Sequence, residues 1–333
     1  MGPLPLVGRL SGRRGMRVRW FDGWHPELDD ALQALPEMES CPHELFRLLM
    51  ANPSPTRKRA ALVSDRDGPV SIIGLRRRKR YWQLVTQWIT PDAFAPARQG
   101  SLVTALESLG AHVRIPGWQG PLPASRLVRD VTAVPVNKVD LKSDFQEYWR
   151  QSGQWEFIRK AQRRTEGFAF VVDGDGAAEW TIRGWADKWR DDEHEETVVA
   201  SDLLVSAGYY QSRGQHHSFL LMDGETPVAG ATCFVHGDEL ISGVFFRERE
   251  YDRNGVGTRL IELLVEWAAA QGYAKLDLGG WDAYKARWGR QDGSEWWFSI
   301  CPLPQRLAQE ALWWSKGKFR IARGLWRRVA QQT

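Results

Sequence analysis

A glycine-rich segment is the first place in this sequence where residue types and spacing favour chemistry. It reads Tyr-Asp-Arg-Asn-Gly-Val-Gly-Thr over residues 251–258, between a strand pattern and a helix pattern. Such a turn leaves backbone N–H groups without helical partners at the positive end of a helix dipole, where a diphosphate binds well. Gly255 and Gly257 remove side chains that would keep a phosphate away. We therefore expect phosphate binding by Arg253, Asn254, Gly255, Val256, Gly257 and Thr258.

This segment also has a plainer interpretation, a glycine-rich turn that only precedes a core helix. It lacks the spacing of the dinucleotide-binding fingerprint, and no Lys-Ser or Lys-Thr pair follows the glycines as in a P-loop. The elements on either side must decide between the two interpretations.

The elements around the segment are predicted more clearly than those elsewhere. Three apolar runs joined by Gly-containing turns predict an antiparallel meander over 217–222, 228–235 and 239–246. Apolar residues at helical spacing from Leu260 to Ala268 predict an amphipathic helix that ends at Gly272. We expect a strand over 274–278, a short helix around 282–288 and a last strand over 296–301.

Earlier parts of the chain show a similar mixture of helices and strands. A strand begins at Met16, and Gly110 ends a helix over 102–109. The other expected elements are a helix over 44–50, strands over 59–63, 70–75, 81–89 and 113–115, a long helix over 143–165 and a strand over 168–172.

The order of meander, Gly-x-Gly loop, amphipathic helix and strand resembles the acyl-CoA half of the GNAT acyltransferase superfamily. The resemblance implies that the loop cradles the diphosphate of coenzyme A. The superfamily pattern is Arg/Gln-x-x-Gly-x-Gly/Ala, and Gly255 and Gly257 match it. Asp252 occupies the Arg/Gln position, and Arg253 stands one residue late.

A second motif is more specific. Residues 276–289 read Leu-Asp-Leu-Gly-Gly-Trp-Asp-Ala-Tyr-Lys-Ala-Arg-Trp-Gly, which resembles the Asp-Leu/Phe-Gly-Gly/Arg … Tyr-Lys-x-x-Phe/Trp-Gly signature of FemAB-like and CelD-like GNAT proteins. The implied fold is α/β (α+β), with a mixed, mostly antiparallel sheet flanked by helices and two tandem GNAT-like halves.

Acyl transfer needs a deprotonated nucleophile, a donor for the developing oxyanion and a proton for the leaving group. Lys285 can offer its positive charge to an oxyanion or a phosphate, Tyr284 can donate a proton, and Asp277 can accept a proton or orient an amine. The resemblance places the lysine near the reacting centre. Each residue also has a structural alternative: Asp277 as a turn cap, Tyr284 as a packing partner of Trp288, and Lys285 as a solvated side chain.

Three further residues are candidates for substrate binding. Trp281 and Trp288 could stack on a flat or sugar-like substrate, and His217 could act as a base, although most of the 18 tryptophans should fill the core. His194 lies in an acidic run that we interpret as a solvated helix or loop. No ligand set has recognisable metal spacing, so we expect no metal.

Composition limits the class of protein. The chain has 333 residues, of which 43% are apolar and 26% charged, which is typical of a soluble globular protein with about two domains. The net charge is only +4, and it is concentrated in a basic tail after Glu310 and in the clusters Arg76–Arg80 and Arg159–Arg164. The cysteines Cys41, Cys233 and Cys301 show no disulfide or zinc spacing, and no apolar run is long enough to cross a membrane. We expect a cytoplasmic protein.

Composition shifts suggest the domain boundaries. We expect a loose extension over 1–15, a degenerate GNAT-like half over 16–125, a connector over 126–142, a catalytic GNAT-like half over 143–301 and a basic helical tail over 302–333.

Three functions fit these observations. The favoured one is an N-acyltransferase that moves an acetyl-like group from acetyl-CoA or another acyl-CoA to the amine of a small metabolite or sugar in a biosynthetic pathway. The second is a FemAB-like transferase that uses aminoacyl-tRNA, with the basic clusters contacting tRNA phosphates. The third is a non-catalytic binding protein that kept the fold.

Overall fold

The computed structural model describes residues 6–8, 16–36, 42–53, 57–77, 81–85, 99–118, 122, 125, 127–190, 200–279 and 284–301. Several sequence predictions lie outside these residues: Trp281, His194, the basic tail and most of residues 1–15.

The first half alternates strands with amphipathic helices because its apolar runs are short and separated by turn residues. Its elements are β1 (Leu6–Gly8), β2 (Arg17–Asp22), α1 (Glu27–Gln33), α2 (His43–Ala51), β3 (Lys58–Ser64), β4 (Pro69–Arg77), β5 (Trp82–Leu84), α3 (Gln99–Leu109) and β6 (Val113–Trp118). A long strand, β7 (Val128–Asp140), follows.

The second half contains the elements around the glycine-rich segment. They are α4 (Phe145–Gln151), α5 (Gln154–Arg164), β8 (Ala169–Val172), α6 (Ala177–Arg190), α7 (Ala200–Gln211), β9 (His216–Asp223), β10 (Thr226–His236), β11 (Glu239–Arg247), α8 (Val256–Ala270), β12 (Lys275–Asp277) and β13 (Arg290–Ile300). Two 3₁₀ turns cover Arg249–Asn254 and Lys285–Arg287.

The described strands form one mixed, mostly antiparallel sheet, which confirms the predicted fold class. Its order is β1-β2-β3-β4-β5-β6-β13-β7-β12-β11-β10-β9-β8. Two neighbouring pairs are parallel, β5 with β6 and β11 with β12, and the other neighbours are antiparallel.

The sheet is built from two repeats of the same element order. In each repeat a strand is followed by two helices, three strands, one helix and one strand, and the last two strands form the parallel pair. The repeats run from β2 to β6 and from β8 to β12. The strand that follows each repeat pairs with the other repeat. Strand β7 follows the first repeat and pairs with β12, and β13 follows the second repeat and pairs with β6. The two halves are therefore joined by exchanged strands, which also pair with each other.

The predicted helix over 143–165 is wrong in one respect, because two helices occupy this stretch. Gly153 has a φ of 74°, a left-handed conformation that an α-helix cannot include. Asp144 caps the first of the two helices, since its side chain accepts a hydrogen bond of 2.9 Å from the Glu147 N–H.

The core of the second half lies between one sheet face and three helices. Residues Leu260, Leu264 and Val265 of α8 are buried there with Leu221, Leu240 and Leu276 from the strands, and Trp149 of α4 joins them. Because α8 is fixed by this apolar face, its N-terminal end is held beside the end of β11.

Candidate functional site

The glycine-rich loop is held between β11 and α8. Gly255 has a φ of 76°, so glycine is favoured at the point where the 3₁₀ turn changes into α8. A Cβ added at Gly255 would lie 3.2 Å from the Ala161 Cβ, which shows how closely α5 packs on the loop. Arg164, at the end of α5, donates a hydrogen bond to the backbone carbonyl of Arg253.

A cavity of about 420 Å³ opens in front of this loop. It joins the loop to the Tyr-Lys motif, which the sequence separates by some 30 residues. Its walls come from α5, α6, the end of β11, the start of α8 and the 3₁₀ turn of the Tyr-Lys motif: Gln154, Phe157, Lys188, Phe245, Phe246, Arg247, Asp252, Gly255, Gly257, Thr258, Leu260, Ile261, Tyr284, Arg287 and Trp288.

The six predicted loop residues differ in their relation to this cavity. Gly255, Gly257 and Thr258 line it, whereas Arg253, Asn254 and Val256 do not. Val256 is fully buried in the core, so its side chain faces away from a ligand. Arg253 is exposed on the 3₁₀ turn.

Lys285 lies where the parallel ladder of β11 and β12 ends. Within the described residues this ladder has three pairs, from Glu239–Lys275 to Ile241–Asp277. A Cβ added at Gly279 would lie 3.7 Å from the Lys285 Nζ and 3.8 Å from the Ser242 Oγ. The ammonium and the hydroxyl therefore converge on the backbone just beyond the ladder.

Asp277 combines a capping role with a position among charges. Its Oδ1 accepts a hydrogen bond of 2.6 Å from the Gly279 N–H, and its Oδ2 lies 3.9 Å from the Lys138 Nζ. Burial raises the pKa of Asp277, and the Gly279 N–H with the charges of Lys138 and Lys285 offsets part of the rise. The turn-cap alternative is thus present in the structure, together with electrostatic coupling to Lys285.

Glu295 is a candidate that the sequence interpretation missed. It lies on β13, and its Oε1 accepts a hydrogen bond of 2.7 Å from the Trp297 Nε1. Burial raises the pKa of Glu295, and the charges of Asp277 and Lys285 also act on it. The sequence offered one signal for Glu295, which is an acidic residue directly before the apolar strand predicted over 296–301. Arg247, at the end of β11, was missed as well.

The predicted substrate residues do not form one group. Trp288 is 2% exposed and packs edge to face on Trp149, with ring centroids 5.2 Å apart, so it is a core residue at the cavity wall. Tyr284 also lines the cavity and is 43% exposed, so it is the more accessible of the two aromatic side chains.

His217 does not line the cavity. Its Nδ1 is 2.8 Å from the Asp173 Oδ2, and its Nε2 is 3.3 Å from the Tyr273 hydroxyl. Its ring packs against Trp267, which lies eleven residues after Val256 on α8. At about 1.5 Å per residue, His217 is at the opposite end of that helix from the loop.

Two residues of the basic cluster Arg76–Arg80 lie in the described part of the chain, and Arg76 is placed differently from the expectation. Arg76 is 3% exposed, and its Nη1 donates to the Asp202 Oδ2 at 3.1 Å, so it cannot contact tRNA phosphates. Arg77 lies over the Trp82 ring at 5.5 Å. In contrast, the cluster on α5 is exposed: Arg159, Lys160, Arg163 and Arg164.

Among the described residues, no group of three or more His, Cys, Asp or Glu side chains could hold a metal ion. None of the helices in the described ranges is long and apolar enough to span a bilayer.

Comparison with known proteins identifies the domain around the cavity. The family model of the GNAT acetyltransferase domain matches residues 154–296, which is less than half of the chain. A comparison with curated proteins finds no significant match.

Solved structures resemble nearly the whole chain at low identity. L-PGS from Bacillus licheniformis has a TM-score of 0.51 at 14% identity, covering 86% of this chain and 95% of that one. The C-terminal domain of a putative lysylphosphatidylglycerol synthetase from Agrobacterium fabrum has a TM-score of 0.49 at 16% identity, covering 85% and 93%. FemX has a TM-score of 0.45 at 11% identity, covering 87% and 98%. The likeness to L-PGS concerns the fold.

The matched region contains the loop, the cavity and Lys285. The part of the chain that is similar to the GNAT acetyltransferase domain is therefore the part that forms the candidate site.

Proposed function

We propose that this protein is an N-acyltransferase that moves an acetyl-like group from acyl-CoA to the amine of a small metabolite or sugar. One observation supports this most strongly: a single cavity of about 420 Å³ contains both the glycine-rich loop and Tyr284 of the Tyr-Lys motif. A phosphate-binding end and a reactive end are what a long, thioester-carrying donor requires.

The donor would bind along the cavity. Backbone N–H groups at the start of α8 face its diphosphate, where the helix dipole favours negative charge. Phe157 and Phe245 provide apolar walls for the uncharged arm of the donor. The thioester then lies toward the end of the β11–β12 ladder, where Lys285 and Ser242 converge.

The side chains at that end match the needs of acyl transfer. The neutral amine attacks the thioester carbonyl and forms the C–N bond, and the Lys285 ammonium stabilises the oxyanion. The C–S bond then breaks, and Tyr284 supplies a proton to the leaving thiolate. A carboxylate, Asp277 or Glu295, takes the proton that the amine loses. Because burial raises the pKa of both groups, each carboxylate is a stronger base than a carboxylate of ordinary pKa.

Replacement of Lys285 tests this proposal. We expect Lys285→Ala to lower the turnover number by roughly 100- to 1000-fold, because an oxyanion donor is lost. Acetyl-CoA should still stabilise the variant against heat, since the loop is intact. The measurement is mass-spectrometric detection of acylated products after incubation with acetyl-CoA and a metabolite extract. Lys142→Ala is the control, because the Lys142 side chain is 68% exposed and paired with Asp238.

Coenzyme A binding tests the donor separately. At about one hundred times its dissociation constant, a ligand stabilises the native state by about 2.7 kcal/mol. Absence of any thermal stabilisation by coenzyme A or acetyl-CoA near millimolar concentration would contradict the acyl-CoA proposal.

The exposed basic face of α5 favours a second candidate, transfer from aminoacyl-tRNA. Arg159, Lys160 and Arg163 point to solvent, and Arg164 touches the loop. In this case the amine attacks the ester carbonyl and the terminal hydroxyl of the tRNA leaves. With about four phosphates contacted, tRNA affinity should fall roughly 100-fold for a fourfold rise in salt. Filter binding with tRNA, together with Lys160→Ala and Arg163→Ala, distinguishes this candidate from acyl-CoA.

A further inference from the structure

The cavity is lined by an ion pair beside the glycine-rich loop. Arg247, the last residue of β11, donates from its Nε to the Asp252 Oδ1 at 2.5 Å. Both side chains are 47% exposed, and both residues line the cavity. Asp252 alone would repel a diphosphate, and the charge of Arg247 offsets that of Asp252.

The arginine lies across the loop itself. A Cβ added at Gly257 would come within 3.2 Å of the Arg247 Cδ, 3.7 Å of its Nη1 and 3.9 Å of its Nε. Glycine at this position therefore allows the arginine to lie flat against the start of α8. Its guanidinium is held beside the N–H groups that would bind a phosphate.

The pairing leaves the terminal nitrogens of the guanidinium available. Asp252 accepts from Nε, and no hydrogen bond to Nη1 or Nη2 is formed among the described residues. A guanidinium binds two phosphate oxygens through parallel N–H donors, and an acid on the opposite side fixes its plane. Arg253, which the sequence favoured for this role, does not line the cavity.

We infer that Arg247, oriented by Asp252, is the side chain that selects a donor carrying a diphosphate. This inference rests on the proposed function and adds the contact that distinguishes acyl-CoA from a shorter thioester. Arg247 is then a specificity-determining residue, and Asp252 is a positioning residue.

Two donors that differ in the diphosphate test the inference. Acetyl-CoA carries the diphosphate and the adenosine 3′-phosphate attached to it, whereas S-acetylpantetheine carries the same thioester without either. We expect Arg247→Ala to raise KM for acetyl-CoA roughly 10- to 100-fold, as expected for loss of a charged hydrogen bond. Its kcat and its KM for S-acetylpantetheine should change less than twofold, which also shows that the variant is folded.

Asp252 is tested by its own variants. Asp252→Asn should weaken acetyl-CoA binding less than Arg247→Ala does, because the arginine keeps its charge and loses only its fixed orientation. The exchanged pair Arg247→Asp with Asp252→Arg should recover part of the affinity that Arg247→Asp loses. Arg249→Ala is the matched control, since Arg249 is exposed on the same 3₁₀ turn and does not line the cavity.

The possible results separate the two proposals. If acetyl-CoA binds the wild type and Arg247→Ala leaves its KM unchanged, the inference is overturned and the proposed function stands. If Arg253→Ala raises KM for acetyl-CoA and Arg247→Ala does not, the inference is overturned as well. If the wild type binds no acetyl-CoA, the proposed function and the inference fall together.

Discussion

His216 is a buried histidine outside the cavity, and its ring has no hydrogen-bond partner among the described residues. It is 2% exposed at the start of β9, and its ring packs edge to face on Phe234 with centroids 5.0 Å apart. Burial lowers the pKa of His216 to about 4, a shift that the charge of His217 reinforces and that of Asp173 opposes. The folded protein therefore keeps this ring neutral in mild acid.

The histidine makes stability depend on pH. In the unfolded chain, the His216 ring takes up a proton near its ordinary pKa of about 6.5. The stability that the neutral ring contributes is therefore complete above that pH and is lost as the pH falls toward 4. Between pH 7 and pH 5 the free energy of unfolding should fall by about 2 kcal/mol through this residue.

The variant His216→Phe should remove this part of the pH dependence, as measured by urea unfolding at the two pH values. His236→Gln is the control, because His236 is half-buried at the end of β10. An equal loss of stability in the wild type and in His216→Phe would contradict the prediction.

At the scale of elements, α6 is held unusually close to the sheet by a glycine. A Cβ added at Gly184 would lie 2.3 Å from the Phe246 ring, which packs on Trp180 with centroids 5.0 Å apart. This contact matters for the site, because Phe246 and Lys188 of α6 both line the cavity.

Two helical glycines give a matched comparison. Gly184→Ala should destabilise the protein by about 1–3 kcal/mol, because the ring or the helix must move. Gly208→Ala on α7 should stabilise it by about 0.5–1 kcal/mol, since Gly208 is exposed and an added Cβ would meet nothing within 4 Å. Urea unfolding of the two variants measures the difference. Similar changes in the free energy of unfolding for both variants would contradict the prediction that α6 must pack closely on Phe246.

At the scale of the whole molecule, a buried ionic cluster joins the two halves. Asp202 of α7 accepts hydrogen bonds of 2.7 Å from Lys58 and 3.1 Å from Arg76, which belong to β3 and β4. Asn52, after α2, donates to the same carboxylate at 2.8 Å. The side chains of the three charged residues are only 3–4% exposed.

Removal of the Asp202 charge should weaken the contact between the two halves. Asp202→Asn leaves two buried cations without their acid, and we expect a loss of about 3–5 kcal/mol in the free energy of unfolding. Glu44→Gln is the matched control, because Glu44 and Arg213 form an exposed pair between the α2 region and the end of α7 at 2.6 Å. This exposed pair should contribute about 0–1 kcal/mol. If both variants lose the same stability, the buried cluster does not hold the halves together.

The sequence predicted elements well where short-range signals decide them. The β9–β10 and β10–β11 turns form at Gly224 and Gly237, each with a φ of 59°, and glycine accepts that conformation readily. Helix α8 follows from the spacing of Leu260, Leu264 and Ala268. In contrast, β7 was not expected, because Pro135 and several polar or charged residues interrupt its strand pattern.

The site was predicted only in part, because short-range signals identify its segments and do not show that the segments meet. The glycine-rich loop and the Tyr-Lys motif are each local, so their residue types identify them. Their meeting in one cavity depends on the parallel pairing of β11 with β12, which joins segments distant in the chain. The distance of His217 from the cavity depends on the direction of α8, which the spacing of residues around His217 does not encode.

By itself, the sequence determined the meander, the loop, the helix after it and the resemblance to GNAT proteins. The tertiary structure decided that β7 and β13 are exchanged, that Arg76 is buried against Asp202, and that Arg247 lies over Gly257. Turns and helix periodicity arise from interactions within a few residues, so residue types report them. Burial and charge pairing arise from contacts between distant segments, which exist only once the chain has folded.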